Sequence, residues 1–175
     1  MGNDDLEMFP HGVFRALGTD RWVAIAVRDE ADWRALCVAL GRADWRDDAT
    51  LASADARRAH GDAIDAAISA WTETRDAGAI EAELQARGVP AHAVLDMPGL
   101  YADAQLQARG HFVDLPHPIH GTVTIEASRS RLSHTTARIP ERVLTFGCDN
   151  RHVLGELLDF SDEAIAALEA KGVLA

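Results

Sequence analysis

Apolar residues in this chain fall into runs of different period, and each change of period marks an element. Trp22 to Val27 is an unbroken apolar run between Gly18-Thr19-Asp20 and Arg28-Asp29. Its length and β-branched content predict a buried strand. Val13 and Phe14 precede the Gly-Thr-Asp turn, as the first arm of a hairpin would. Trp33, Leu36, Cys37 and Leu40 then recur at helical spacing. Asp29 is placed to cap that helix, Glu30 and Asp32 suit its positive end, and Gly41 stops it. A second helix is predicted over 53–72, with Ile64, Ile68 and Trp71 on one face. A third is predicted over 76–87, with Ile80 and Leu84 inward and Gly88-Val89-Pro90 as its exit.

The period shortens again further on. Ala91 to Leu95 is a short apolar run, and a small helical segment follows the Met97-Pro98-Gly99 turn and stops at Gly110. His111 to Leu115 and Thr122 to Glu126 read as short strands joined through Pro116, Pro118 and Gly121. Residues 127–145 are rich in turn formers. Two helices close the chain, one near Arg151 to Leu158 and one capped by Ser161, with Ile165 and Leu168 inward and Gly172 at its exit. The fold class is therefore α+β. No internal repeat or low-complexity tract interrupts it.

Composition narrows the function. The 175 residues carry 17 Lys and Arg against 28 Asp and Glu, a net charge of −11. Such a chain repels phosphate backbones and anionic lipid, so neither nucleic acid nor a membrane surface is an expected partner. Nearly all the basic residues are Arg, which can grip a small anion through a bidentate fork. No apolar run approaches the roughly 20 residues that span a bilayer. The N-terminus lacks the pattern of a secretory signal, and two cysteines make no disulfide framework, so the expected compartment is the cytoplasm. Cys37 belongs to a core face, and Cys148 to a loop with no fixed cation beside it, which predicts an inert thiol.

Residue chemistry offers few candidates. Among eight histidines, His117 and His120 are three apart, but Pro118 keeps them off one helix face, and no metal site is expected. His111, His117 and His120 can cluster in space, though a solvated loop is the simpler reading. His60 reads as a partly exposed helical residue. Trp22, Trp33 and Trp71 fall at core positions, while Trp45 sits in a polar loop. No nucleophile elbow, phosphate loop or dinucleotide fingerprint is present.

The order of the segments is more specific than any one of them. PHGVFRALGTDRWVAIAV, DWRALCVALGRADWRDD, ARGVPAHAVLDMPGLYADAQLQARGHFVDLPHPIHGTV, SRLSHTTARI and FGCDNRHVLGELLDFSDEAIAALEAKGV together resemble the C-terminal part of family III CoA-transferases. That family (CaiB/BaiF) includes formyl-CoA:oxalate and carnitine CoA-transferases and α-methylacyl-CoA racemase. The resemblance runs from about Met8 to the end and covers well under half of a full member. Three positions depart from the pattern. The family's Asp-Pro-Gln-Leu appears as Asp103-Ala104-Gln105-Leu106, Asp4 to Phe9 replace a Gly-rich loop, and Gly147-Cys148-Asp149 replaces Gly-Glu-His or Gly-Gln-Asp.

The resemblance implies an irregular lead-in over 1–11, a small mixed domain over 12–115, and over 116–175 a return segment with helices that pack on a large domain. It implies that the large domain binds most of CoA and supplies an aspartate that attacks the acyl-CoA, or the acid and base of the racemase branch. No position here matches those residues, so no catalytic residue carries over. Activity of the 175 residues alone is not expected, and no covalently bound cofactor is; a CoA thioester enters as substrate once the large domain is supplied. The positions expected to face the active site are His11 and Gly12, beside the Gly-rich loop position, and Gly147 and Asp149 in the later loop. Expected partners are a second copy of the chain, through residues 150–175, and a separate N-terminal CoA-transferase chain. A non-catalytic oligomerising remnant and a part of an acyl-CoA racemase are the alternative readings.

Overall fold

A computed structural model describes residues 5–141 and 143–174. The first four residues of the expected lead-in lie outside these. The chain divides into two compact units, 1–96 and 97–175. The boundary expected between 115 and 116 falls instead within a strand, since Phe112–His117 pairs along its length with Gly121–Glu126.

The first unit is a three-stranded antiparallel sheet backed by helices. β1 (His11–Arg15), β2 (Trp22–Ala26) and β3 (Ala91–Ala93) lie in that order, with Gly12 opposite Ile25 and Ala24 opposite His92. The 22–27 run is a strand, as its residue types predict, but it is not buried on both faces. Val23, Ile25 and Val27 are sealed in the core, whereas Trp22, Ala24 and Ala26 are half-exposed. The alternation is hidden in the sequence because alanine occupies the open face where polar residues usually stand.

α1 (Glu30–Ala39) begins where Asp29 accepts from the Asp32 amide at 2.9 Å. Trp33, Leu36 and Cys37 are its buried face. Burial pushes the Cys37 thiol up to about 12, so it is inert. Trp45 is not in a loop: it lies in α2 (Ala43–Arg46), stacked on Trp33 at 6.0 Å, with the Arg42 guanidinium 3.5 Å above its ring. Trp22 and Trp71 are only half-buried.

The helix expected over 53–72 is two, α3 (Ala54–Arg58) and α4 (Gly61–Thr72), parted at His60. The Phe9 ring packs against the start of α4, where a Cβ at Gly61 would come within 3.3 Å of it. His60, at the break, is exposed. α5 (Ala77–Ala86) starts at Asp76, which caps the Ala79 amide at 3.0 Å, and ends before Gly88 at φ +82°. Its Ile80 and Leu84 complete the core.

The second unit contains α6 (Met97–Ala102), α7 (Ala104–Ala108), the hairpin β4 (Phe112–His117) and β5 (Gly121–Glu126), and α8 (Asp162–Ala170). The expected helix near 151–158 is a π-helical turn over Arg151–Leu157. Ser161 caps α8 at the Ala164 amide, 3.2 Å away, and Ile165 is buried beneath it. No helix of the described residues is long and apolar enough to cross a membrane.

Candidate functional site

The open face of the sheet is the floor of a cup of about 570 Å³. Strand register places His11 beside Ala26, and Val13 and His92 on either side of Ala24. Two alanines at the centre and larger residues around them make the surface concave. His11 and Gly12 both line it. His11 contributes its side-chain face, but a Cβ at Gly12 would point the other way, to within 3.3 Å of the Phe14 ring. Gly12 therefore shapes the cup through its backbone, and its smallness serves packing beneath.

The walls are fixed by polar contacts that spacing alone does not announce. Arg28 forks onto Asp32, with Nε at 2.7 Å from Oδ2 and Nη2 at 3.0 Å from Oδ1, and reaches the Gly88 carbonyl at 3.1 Å. The guanidinium beside it holds the Asp32 carboxyl below the ordinary range, in spite of burial, which acts the other way. On the far side, Gln85 donates to the Ala91 carbonyl at 2.8 Å, and Glu81 accepts from the Ala93 amide at 2.8 Å. These two side chains satisfy the outer edge of β3.

The lead-in to β1 is pinned as well. Arg57 donates to the Phe9 carbonyl at 2.9 Å, and Arg58 to the Asp5 and Leu6 carbonyls at 3.1 Å each. Residues 5–10 have no regular structure and are held in place by α3. His11 itself begins β1 rather than ending the irregular segment.

Gly147 and Asp149 lie in the second unit, around an apolar groove with Leu144, Phe146, Val153 and Leu154. Gly147, at φ +72°, accepts from the Asn150 amide at 3.0 Å, and Asp149 accepts from the Val153 amide at 2.9 Å. The loop thus leads directly into the π-helical turn. Cys148 is exposed and Phe146 is 96% exposed. The structure brings His11 together with Gly12, and Gly147 together with Asp149, in separate units.

His117 and His120 meet, with ring centres 4.6 Å apart, and the His117 Nδ1 accepts from the Ile119 and His120 amides at 3.1 and 3.2 Å. That nitrogen is committed to the turn. His111 sits at the other end of the hairpin, against Phe112, with Nε2 3.8 Å from Glu126, so the three imidazoles do not cluster. No group of His, Cys, Asp or Glu suited to a metal occurs among the described residues.

The model of CoA-transferase family III matches residues 1–150. The chain belongs to that family. Its relatives include the formyl-CoA:oxalate CoA-transferase of Rhodopseudomonas palustris strain HaA2, 29% identical over 143 residues, which are 82% of this chain and 33% of that protein. The enzyme of the same description from Escherichia coli O157:H7 is 31% identical over 140 residues, 80% of this chain and 33% of the relative. The succinyl-CoA–D-citramalate CoA-transferase of Chloroflexus aurantiacus is 26% identical over 153 residues, 87% and 38%. A CaiB/BaiF family protein from Brucella suis has the same fold, with a TM-score of 0.72 at 25% identity over 90% of this chain and 40% of its own. This family III chain spans about a third of the length of these curated relatives.

Proposed function

We propose that these residues form the C-terminal part of a family III CoA-transferase, which moves CoA between an acyl-CoA and a carboxylic acid. The reacting carboxylate would come from sequence beyond the 175 residues. The observation that carries this reading is the lining of the cup. It offers two imidazoles, an arginine already bound to Asp32, an amide and otherwise apolar groups, with no carboxylate, thiol or hydroxyl. The carboxylate nucleophile that the proposed transfer needs is not among these groups, although an imidazole can itself be acylated. An apolar floor with fixed walls instead suits a surface that covers a thioester and excludes water from it. The relatives named above act on different acids, so the shared chemistry carries over and a particular acid does not.

In this reading a CoA thioester is the substrate, no cofactor is bound covalently, and the compartment is the cytoplasm. His11 and His92 face the substrate, and the Gly147–Asp149 loop faces the domain that supplies the carboxylate. A second copy of the chain is the other partner. The test uses the 175 residues with and without the N-terminal portion of a family III enzyme that binds them. The 175 residues alone should give no CoA transfer from an acyl-CoA to a free acid, and the mixture should. Turnover in proportion to the isolated chain, or failure of every such portion to bind it, would overturn the proposal. In the active mixture, His11→Ala should raise KM for the acyl-CoA by about tenfold, the loss of one well-placed polar contact. Unchanged kinetics would remove His11 from the site.

A further inference from the structure

The unit after Met97 contains a cavity of about 450 Å³ that the proposed function leaves unused. Its floor is Leu100, Leu106 and Phe112, and its rim carries Arg109, Arg129, Arg131 and Glu126. The Phe112 ring is held rigidly, stacked on Tyr101 at 4.2 Å and met edge-on by His111 at 4.8 Å.

The charge here differs from that of the first unit. Between residues 5 and 96, each described arginine meets a carboxylate or lies over a tryptophan ring. The cavity is lined by three arginines and one carboxylate, Glu126. Arg129 donates to Glu126 at 2.9 Å, and His111 Nε2 lies 3.8 Å from the same carboxylate. Arg131 donates to the Arg109 backbone carbonyl, which ties the segment after β5 to the end of α7 as one wall. Among the described residues, neither Arg109 nor Arg131 has a carboxylate partner. Arg109 and Arg131 are both exposed to solvent, so they stand hydrated beside the apolar, aromatic floor and open to an incoming anion, and a guanidinium fork matches a carboxylate or a phosphate. In a chain of net charge −11, such a place does not arise from a general basic excess.

We propose that this cavity binds a small organic anion, a carboxylate or phosphate carried on an apolar or aromatic body. The anionic group lies between Arg109 and Arg131, and the body lies on Leu106 and Phe112. The probes are phenyl phosphate, benzoate and inorganic phosphate, titrated calorimetrically into the intact protein at low salt. One of the two aromatic probes should bind saturably at one site, and the tighter one identifies the anionic group. Inorganic phosphate, which gains nothing from the floor, should bind more weakly. Arg109→Gln should weaken the aromatic probe about tenfold, the loss of one charge-assisted contact. Arg138→Gln, at an arginine outside the cavity, should leave it unchanged. If Arg109→Gln lowers the melting temperature, Arg131→Lys, which keeps the charge and loses the fork, should weaken binding instead. No saturable binding of any probe below about 10 mM, an affinity of under 3 kcal/mol, would overturn the proposal. So would binding that both variants leave intact.

Discussion

Arg57 and Arg58 are neighbours in sequence with opposite fates. The Arg58 guanidinium stays partly in solvent and holds the Asp5 and Leu6 carbonyls. The Arg57 side chain is 3% exposed, and it donates to the Phe9 carbonyl, to the Leu51 carbonyl at 3.0 Å and to Glu30 at 3.2 Å, with Trp33 beneath it at 5.1 Å. Burial lowers its pKa, and Glu30 opposes that shift. Removing it strands two carbonyls and loosens the approach to His11. Arg57→Met should therefore cost about 2–4 kcal/mol of stability, mostly through polar groups left unpaired. Urea unfolding reads this directly, and a change below about 0.5 kcal/mol, the ordinary scatter of surface substitutions, would contradict it. Nothing in the sequence separates the two arginines, because the difference depends on where Phe9 arrives from far along the chain. The residue-level facts that were legible are local ones: Asp29 and Ser161 each cap the helix they precede.

β3 shows how an element that is weak on its own becomes ordered. Three residues, Ala-His-Ala, carry little intrinsic strand preference. The outer edge of this strand would be open to another chain. Glu81 and Gln85, one turn apart on α5, take the place of a neighbouring strand, one accepting from the Ala93 amide and the other donating to the Ala91 carbonyl. Their mutual contact at 3.2 Å keeps both in register. The double variant Glu81→Ala/Gln85→Ala should lose about 1–3 kcal/mol, since two backbone groups lose partners, and amide exchange at Ala93 should quicken. Exchange at Ala93 that matches the wild type would show that the edge is held by something else. Helix and strand identities were readable from period and caps. The open sheet face was not, because Ala24 and Ala26 present no polar signal. The close approach of the Phe9 ring to Gly61 was not either, because it joins residues 52 positions apart.

At the scale of the whole molecule, the two units bury apolar surface unequally. Buried side chains concentrate in the first unit, where one core cluster joins the sheet to α1, α4 and α5. In the second, Leu115 and Ile165 are buried, while Leu157, Leu158, Phe160 and Val173 are each more than two-fifths exposed. This excess was legible in the sequence, since the last 25 residues carry more apolar side chains than a short helical pair can hide. What covers them was not, because a surface built for a partner looks the same in sequence as one built for a core. Each buried Å² of apolar area contributes roughly 25 cal/mol, so a wet face of this kind favours association. The expected cover is a second copy through a two-fold contact, with residues 150–175 in or near it. Sedimentation of the 175 residues should show a dimer that dissociates when Leu157 and Leu158 are both changed to Gln, while the first unit keeps its melting transition. A monomer at every accessible concentration would refute the dimer. A dimer indifferent to the Leu157→Gln/Leu158→Gln change would move its interface elsewhere in the chain.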